Sequence, residues 1–392
     1  SWTPSKRTDM ATKKKNALNP KDRYVAILAG GKGERFWPLS RESTPKQLLA
    51  LFDKKSFLQH TFERVKALVP AKNIFIITNE SQAAAIRKQL PRVPKDNVIA
   101  EPCGRDTCPA ITLAAALVGA RSTTGVMAVL PSDHVISAKG EKKFQRILDD
   151  SFDLASRGQA IITIGIHPTH PETGYGYIHA GNALPPIPGR KPYKTVFHRA
   201  ERFVEKPHFD KAVRLVNSGD YRWNAGMFVF SFTTIIESLL KHQKALHAAC
   251  EKWFHIAGSP AKIKRALKKD YPDLKKISFD FGVMEHAQNV IVADGDFDWD
   301  DLGALPALAR HLKADAEGNS TDADFIHVDA ARNVVFDTRP PKQRTPIAIV
   351  GLHDCVIVQT ADATLVTQKR DAQKVRELVN KMAASKAHKH LV

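Results

Sequence analysis

The chain has 392 residues, 43% of them hydrophobic and 26% charged, enough for a large core and more than one domain of a soluble globular protein. No apolar run reaches the roughly 18–20 residues of a membrane span, and the first twenty residues lack a signal-peptide core, so a cytoplasmic location without membrane attachment is expected. A formal net charge of +18, gathered partly at the ends (Lys6, Arg7, Lys13, Lys14 and Lys15; Lys381, Lys386 and Lys389), comes with no nucleic-acid-binding motif and points instead to an acidic small substrate.

Residues 24–29 read as a short buried strand, an apolar run without charge. It stops at Gly30-Gly31-Lys32-Gly33, where glycines allow a tight turn and close approach of a ligand. Such a loop can aim several N–H groups at an anion, and Arg35 and Lys46 bring two cations to the same stretch. A dinucleotide fingerprint is excluded because Phe36 stands where it needs a small residue. A P-loop is excluded because no Gly-Lys-Ser/Thr triplet closes the turn. A phosphate site of a third kind remains.

Helical spacing over 56–69 is followed by a buried strand at 74–78, with Ser81 placed to cap the next helix. A third strand at 98–100 delivers the segment EPCGRDT, and a helix of small residues spans 109–120. A fourth strand at 126–130 ends in Pro131-Ser132-Asp133-His134; a helix over 141–157 and a strand at 160–166 follow. Residues 167–178 read as a loop and 182–192 as an exposed excursion. A strand at 197–205 ends in FVEKP, a helix covers 208–217, and WNAGMFVF at 223–230 is again a strand. Helices fill much of 233–269, and Ile291-Val292 leads into FDWDDLG. Short β runs then recur at 325–328, 334–336, 347–350, 356–358 and 364–366 before a helix near 371–383.

This order predicts an α/β fold: a Rossmann-like mixed, mostly parallel sheet with helices on both faces, plus a small all-β C-terminal module. The expected divisions are a basic tail over 1–22, a catalytic domain over 23–318 and the module over 319–392. Met10 is a candidate natural start. The glycine loop, Glu101 and Asp133 each follow a strand directly, and ligands of such sheets sit at the strands' carboxyl ends. Asp133 and Asp301 are two hard carboxylates suited to holding Mg²⁺ beside phosphates, with Asp298 and Asp300 as rivals to Asp301. Four scattered cysteines (Cys103, Cys108, Cys250 and Cys355) give neither a disulfide framework nor paired zinc ligands.

The segments AGGKGERFWPLSRESTPKQ, EPCGRDT, LPSDH, GIHPTHPETGYGYI, RFVEKP, WNAGMFVF, FDFGVMEHA and WDDLG together resemble the mannose-1-phosphate guanylyltransferases, or GDP-mannose pyrophosphorylases, of the short bacterial type. The segment TPIAIVGLHDCVIVQTADATLVTQ is similar to that family's β-helix-like C-terminal part, and the two-activity version with a cupin-like isomerase domain is not expected. The resemblance implies that GTP and mannose 1-phosphate are converted to GDP-mannose and pyrophosphate. By position, Gly30, Gly31 and Gly33 would line the nucleotide phosphates, while Arg35 and Lys46 neutralise the departing pyrophosphate. Asp133 and Asp301 would hold Mg²⁺, and Lys206 would meet the phosphate of mannose 1-phosphate. Glu172, Gly174, Glu205 and Asn224, with Asp280 as a neighbour, suit the mannose hydroxyls. Glu101 is assigned to guanine, whose N1–H and N2–H₂ are donors.

Two departures stand out: Asp106 where the family usually has Asn, and Asp300 where Ser is frequent. The competing readings are a nucleotidyltransferase for another hexose 1-phosphate and a non-catalytic GDP-mannose-binding regulatory subunit. Oligomeric state is left open, with a homodimer compatible with the β module as a dimerisation or lid element.

Overall fold

The computed structural model describes residues 19–392; Lys6, Arg7, Met10, Lys13, Lys14 and Lys15 lie outside the described residues. Strand β1 (Arg23–Leu28) sets the frame, because its alternate side chains feed two different cores. Val25 and Ile27 enter a cluster with helices α1 (Phe57–Val65), α2 (Ala83–Gln89) and α4 (Ala138–Ala155), whereas Tyr24 and Ala26 enter one dominated by α3 (Thr107–Arg121). That period of two places helices on both faces of the sheet. Further strands are β2 (Ile74–Asn79), β3 (Val98–Glu101), β4 (Val126–Pro131), β5 (Ile161–Ile166), β6 (Tyr177–Ala183), β7 (Phe197–Val204), β8 (Tyr221–Ser231) and β9 (Val290–Gly295).

The sheet order is β3-β2-β1-β4-β8-β5-β9-β7-β6, with β6 also touching β8. Pairings among β1 to β4 are parallel, as is β5 with β9, while β7 and β8 run against their neighbours. The sheet is therefore mixed, as expected: all strands but β7 and β8 point the same way, although antiparallel pairings slightly outnumber parallel ones. Helices α5 (Phe209–Ser218), α6 (Phe232–His242), α7 (Lys244–Ile256) and α8 (Pro260–Asp270) complete this part. On the α3 side, the buried rings of Trp253 and Tyr271 stack at 5.9 Å.

Three local readings are corrected. Ser81 does not cap α2; its hydroxyl donates to Asn79 Oδ1, which also accepts the Gln82 N–H, and the helix starts at Ala83. Helix α3 begins two residues earlier than read, capped by the Asp106 carboxylate on the Thr107 N–H. The stretch read as loop and excursion contains β6, which pairs with β7 and β8.

The C-terminal part forms parallel rungs: β11 (Ser320–Thr321), β13 (Val334–Asp337) and β15 (Cys355–Gln359) stack in register, flanked by β10 (Lys313–Ala314) and β16 (Thr364–Gln368). A second face pairs β12 (Phe325–Val328) with β14 (Ile347–Val350). Buried asparagines tie the rungs together: Asn319 Oδ1 accepts the Asn333 N–H, and Asn333 Oδ1 accepts the Cys355 N–H. Helix α9 (Val375–Ala384) packs against the turn Glu34–Phe36 beyond the glycine loop. Among the described residues, no helix is long and apolar enough to cross a membrane.

Candidate active site

A cleft of about 480 Å³ opens along one edge of the sheet. One half is lined by Gly30, Gly31, Glu101, Gly104, Asp106 and Thr107, from the ends of β1 and β3 and the start of α3. The other half is lined by Gly174, Tyr175, Glu205, Lys206, Asn224 and Asp280. The first half follows the carboxyl-end rule for parallel strands. The second is reached differently: β8 runs the opposite way, so Asn224, near its beginning, arrives at the same edge, and Glu205 and Lys206 follow β7 where it pairs with β6. A wider groove of about 850 Å³ lies beyond β3 among Arg87, Lys95, Arg121, Lys264 and Lys268, but it contains none of the predicted site residues.

Behind the lining of the smaller cleft, which includes neither it nor Asp133, sits Lys46, only 5% exposed. Its ammonium donates to Asp133 Oδ2 at 2.8 Å and to the Asp301 carbonyl at 2.6 Å, drawing together residues 255 positions apart. Burial opposes ionisation of Asp133, but the Lys46 charge, the neighbouring His134 and the hydrogen bonds it accepts together outweigh it and hold this carboxyl below its ordinary range. Gly33 makes room for this lysine. Its φ of 66° lies in the left-handed region, and a Cβ there would meet the Lys46 Cβ and backbone N at 2.8 Å. Gly33 therefore shapes the loop from behind and does not line the cleft. Gln47 fastens the loop too, donating to the carbonyls of Ala29 and Gly31 and to Gln82.

The structure separates the three candidate acids. Asp300 accepts from Arg310 Nε and Nη2, from the Leu302 N–H and from His311 Nε2, so its oxygens are consumed internally. Asp298 Oδ2 faces the Ser137 N–H at the start of α4. Asp301 lines the cleft; its Oδ1 accepts the Tyr175 hydroxyl at 2.5 Å. Burial, and then the Asp301 charge, push the Tyr175 pKa upward, so the phenol remains a donor at neutral pH.

At the β3 end, the Tyr271 hydroxyl donates to Glu101 Oε1, while Oε2 lies 3.1 Å from where a Gly30 Cβ would stand. Burial pushes the Glu101 carboxyl up to about 7, against the lowering effect of the Tyr271 bond. At the other end Asn224 links the two sides of a small network: its Oδ1 accepts from Thr163, and its Nδ2 donates to Asp280 Oδ1 at 2.6 Å. Burial first, then the Glu205 charge, raises the Asp280 carboxyl to about 6. Lys206 pairs with Glu205 Oε1 at 3.0 Å yet keeps 61% of its side chain exposed.

Gly33, Lys46 and Asp133 stand behind the cleft lining in the network around Asp301, and two further expected site residues stand apart from both. Arg35 is exposed and donates to Gln373 Oε1 at 3.3 Å, because the 3₁₀ turn Glu34–Phe36 buries Phe36 and turns Arg35 outward toward the 3₁₀ stretch Lys369–Lys374 that precedes α9. Glu172 folds back to accept the Gly174 N–H at 2.9 Å and stays outside the cleft lining. Sequence reasoning missed Tyr175, Tyr271, Thr107 and Trp299; the alternating aromatics of GYGYI were the available signal for the first.

The model of the nucleotidyl transferase family matches residues 24–318, and that of the mannose-phosphate isomerase/GMP-like β-helix domain matches 323–382. Fold and cleft together define a nucleotidyltransferase, and the chain belongs to the nucleotidyl transferase family. Mannose-1-phosphate guanylyltransferase 2 of Escherichia coli O157:H7 is 34% identical over 91% of this chain and 72% of its own length. The xanthan biosynthesis protein XanB of Xanthomonas campestris is 37% identical over 92% and 73%. A crystal structure from Thermus thermophilus, described as a mannose-1-phosphate geranyltransferase, superposes with a TM-score of 0.78 at 33% identity, covering 92% of this chain and 99% of that one. Within the larger family, the chain belongs with the mannose-1-phosphate guanylyltransferases.

Proposed function

We propose that the chain transfers GMP from GTP to mannose 1-phosphate, giving GDP-mannose and pyrophosphate, and that it does so in the cytoplasm. The observation that carries this reading is the Lys46 ammonium joining Asp133 to Asp301, which itself lines a cleft that holds Glu101 in one half and Lys206 in the other. A sugar phosphate with a second pKa of about 6 is largely dianionic at neutral pH and needs little activation as a nucleophile. The barrier is bringing one anion against the α-phosphorus of another, so positioning and charge neutralisation do most of the catalysis.

Lys206 holds the mannose phosphate, and its exposed ammonium is free to exchange Glu205 for that anion. Gly30 and Gly31 let the nucleotide phosphates lie against the loop backbone, and Lys46 neutralises charge on the pyrophosphate side. Arg35 joins it by turning from Gln373. Gly174, Glu205 and Asn224 receive mannose hydroxyls, with Asp280 holding the Asn224 amide and Glu172 holding the turn at Gly174. Glu101 accepts from guanine.

Asp133 Oδ1 and Asp301 Oδ2 accept no side-chain donor among the described residues, which suits a hard divalent ion completed by phosphate oxygens and water. Bound Mg²⁺ would supply charge neutralisation at the α-phosphate. Initial rates with GTP or ATP against mannose or glucose 1-phosphate test the assignment; preference for ATP or for glucose 1-phosphate overturns it. Asp133→Asn, which keeps an oxygen for the buried Lys46 ammonium, should abolish turnover while leaving the fold nearly intact, and persistent turnover would remove Asp133 from the mechanism.

A further inference from the structure

Tyr175 touches both charged poles of the cleft. Its hydroxyl donates to Asp301 Oδ1 at 2.5 Å, and its carbonyl accepts the Lys206 N–H at 3.2 Å. The ring is wedged edge-on between Trp223 and Trp299, with centroids 5.2 and 5.3 Å away. The backbone that follows is equally confined. Gly176 accepts the Asn224 N–H through its carbonyl at 2.8 Å, and a Cβ on it would stand 2.6 Å from Glu205 Oε2. Lys206 has a φ of 41°, a left-handed conformation that an L residue keeps only where its surroundings impose it. The segment cannot shift without disturbing Lys206, Glu205 and Asn224 together.

We propose that Tyr175 is a positioning residue that couples the sugar-phosphate side of the cleft to the metal side. Its hydroxyl fixes the Asp301 carboxylate, and its carbonyl fixes the backbone of Lys206. The proposal rests on the assignment of Asp301 as a metal ligand. A hydrogen bond on Oδ1 selects one carboxylate orientation and leaves Oδ2 for a cation, the task of the outer partners that orient metal ligands. The same residue then ties occupancy of the metal side to the seat of Lys206, so the two substrates meet in register. Phenylalanine would preserve the wedge between the tryptophans and lose only the donor.

The test is Tyr175→Phe beside Asp301→Asn. Mn²⁺ serves as the probe, titrated by the loss of its free paramagnetic signal in the presence of GDP-mannose, with unliganded thermal unfolding recorded in parallel. Tyr175→Phe should weaken Mn²⁺ binding about 10- to 100-fold, the usual consequence of losing an outer partner. It should raise KM for mannose 1-phosphate in the same variant and leave the unfolding midpoint nearly unchanged. Unchanged Mn²⁺ affinity in Tyr175→Phe, with binding lost in Asp301→Asn, overturns the coupling alone. So does a lowered unfolding midpoint without any change in Mn²⁺ affinity. Unchanged affinity in Asp301→Asn overturns the coupling together with the metal assignment beneath it.

Discussion

Glu101 offers a sharp measurement because its environment sets the sign and the size of a pH effect. The carboxyl is 7% exposed and is pushed up from an ordinary value of 4.5 to about 7, chiefly by burial. The folded chain therefore keeps a proton that the unfolded chain releases between those two values. Stability is full below the unfolded value and falls as pH rises through the folded one, at about 1.4 kcal/mol per pH unit. Across the window this amounts to about 3 kcal/mol. Glu101→Gln keeps the shape and abolishes the titration. The difference in urea-unfolding free energy between the two proteins, taken at intervals from pH 5 to 8.5, cancels every other titrating group. It should drift by about 3 kcal/mol in favour of the variant. If carboxylate oxygens read the guanine donors, GDP-mannose, whose phosphates stay ionised over this range, should bind the parent protein about tenfold more weakly for each pH unit below 7. The variant should lose that dependence. A pH-independent stability difference would refute the buried, neutral carboxyl, and parallel binding profiles would refute its role as guanine reader.

Three further outcomes follow from the geometry. Gly33→Ala drives a Cβ into the Lys46 backbone at a φ of 66°, and urea unfolding should show a loss above about 2 kcal/mol; Gly31→Ala, with nothing within 4 Å, should stay within about 0.5 kcal/mol while raising KM for GTP. Lys206→Met removes a largely exposed charge, so stability should hold, while KM for mannose 1-phosphate rises about 10- to 100-fold, the worth of a charge-assisted hydrogen bond; an unchanged KM places that phosphate elsewhere. Arg310→Ala strips two donors from the 7%-exposed Asp300 and should cost about 1–3 kcal/mol at pH 7. Although burial opposes it, bonding to His311 and Arg310 holds the Asp300 carboxyl well below its ordinary value. The stability it adds is present above that ordinary value and lost as pH falls through the depressed one, so the variant's deficit should shrink in acid unfolding.

What the sequence revealed, and what it hid, divides along physical lines. Glu101 and Asp133 were legible because an uninterrupted apolar run fixes a buried strand, and a polar residue at its end has few places to go. Strand β6 was hidden because it is buried only at Tyr177 and Ile178 and then becomes exposed, so its pattern is that of a loop. Arg35 was misplaced for another reason: nearness to the glycine loop along the chain says nothing about side-chain direction, and one 3₁₀ turn reverses it. The choice among Asp298, Asp300 and Asp301 could not be made locally. It depends on Arg310 and His311, which claim Asp300, and on Tyr175, which meets Asp301 from 126 positions away. The three glycines also prove unequal. Gly33 alone of the three has a positive φ, Gly30 is needed for the approach of Glu101, and Gly31 faces open space.

Lys46 also explains why a β module belongs with this catalytic sheet. The lysine is held by the arm that carries it, and the arm's apolar residues Phe36, Trp37 and Leu39 do not join either core of the large sheet. They pack instead with Leu302, Leu305 and Leu308, and with Val334, Phe336, Val356, Val358 and Val379 from the rungs and α9. Polar contacts follow the same route: Trp37 Nε1 donates to the Leu391 carbonyl at 2.7 Å, Arg376 meets Glu34 at 3.0 Å, and Arg41 meets Asp362 at 2.8 Å. One shared apolar cluster therefore supports the glycine-loop arm, the Asp301 loop and the module. The far end of the arm is anchored to the large sheet instead: Gln47 bonds the carbonyls of Ala29 and Gly31, and Leu48 enters the core that holds Val25 and Ile27, so Lys46 stands where the two supports meet. The module contributes no residue to the cleft lining, yet it shares one apolar cluster with the arm that leads to Lys46 and with the loop after Asp301.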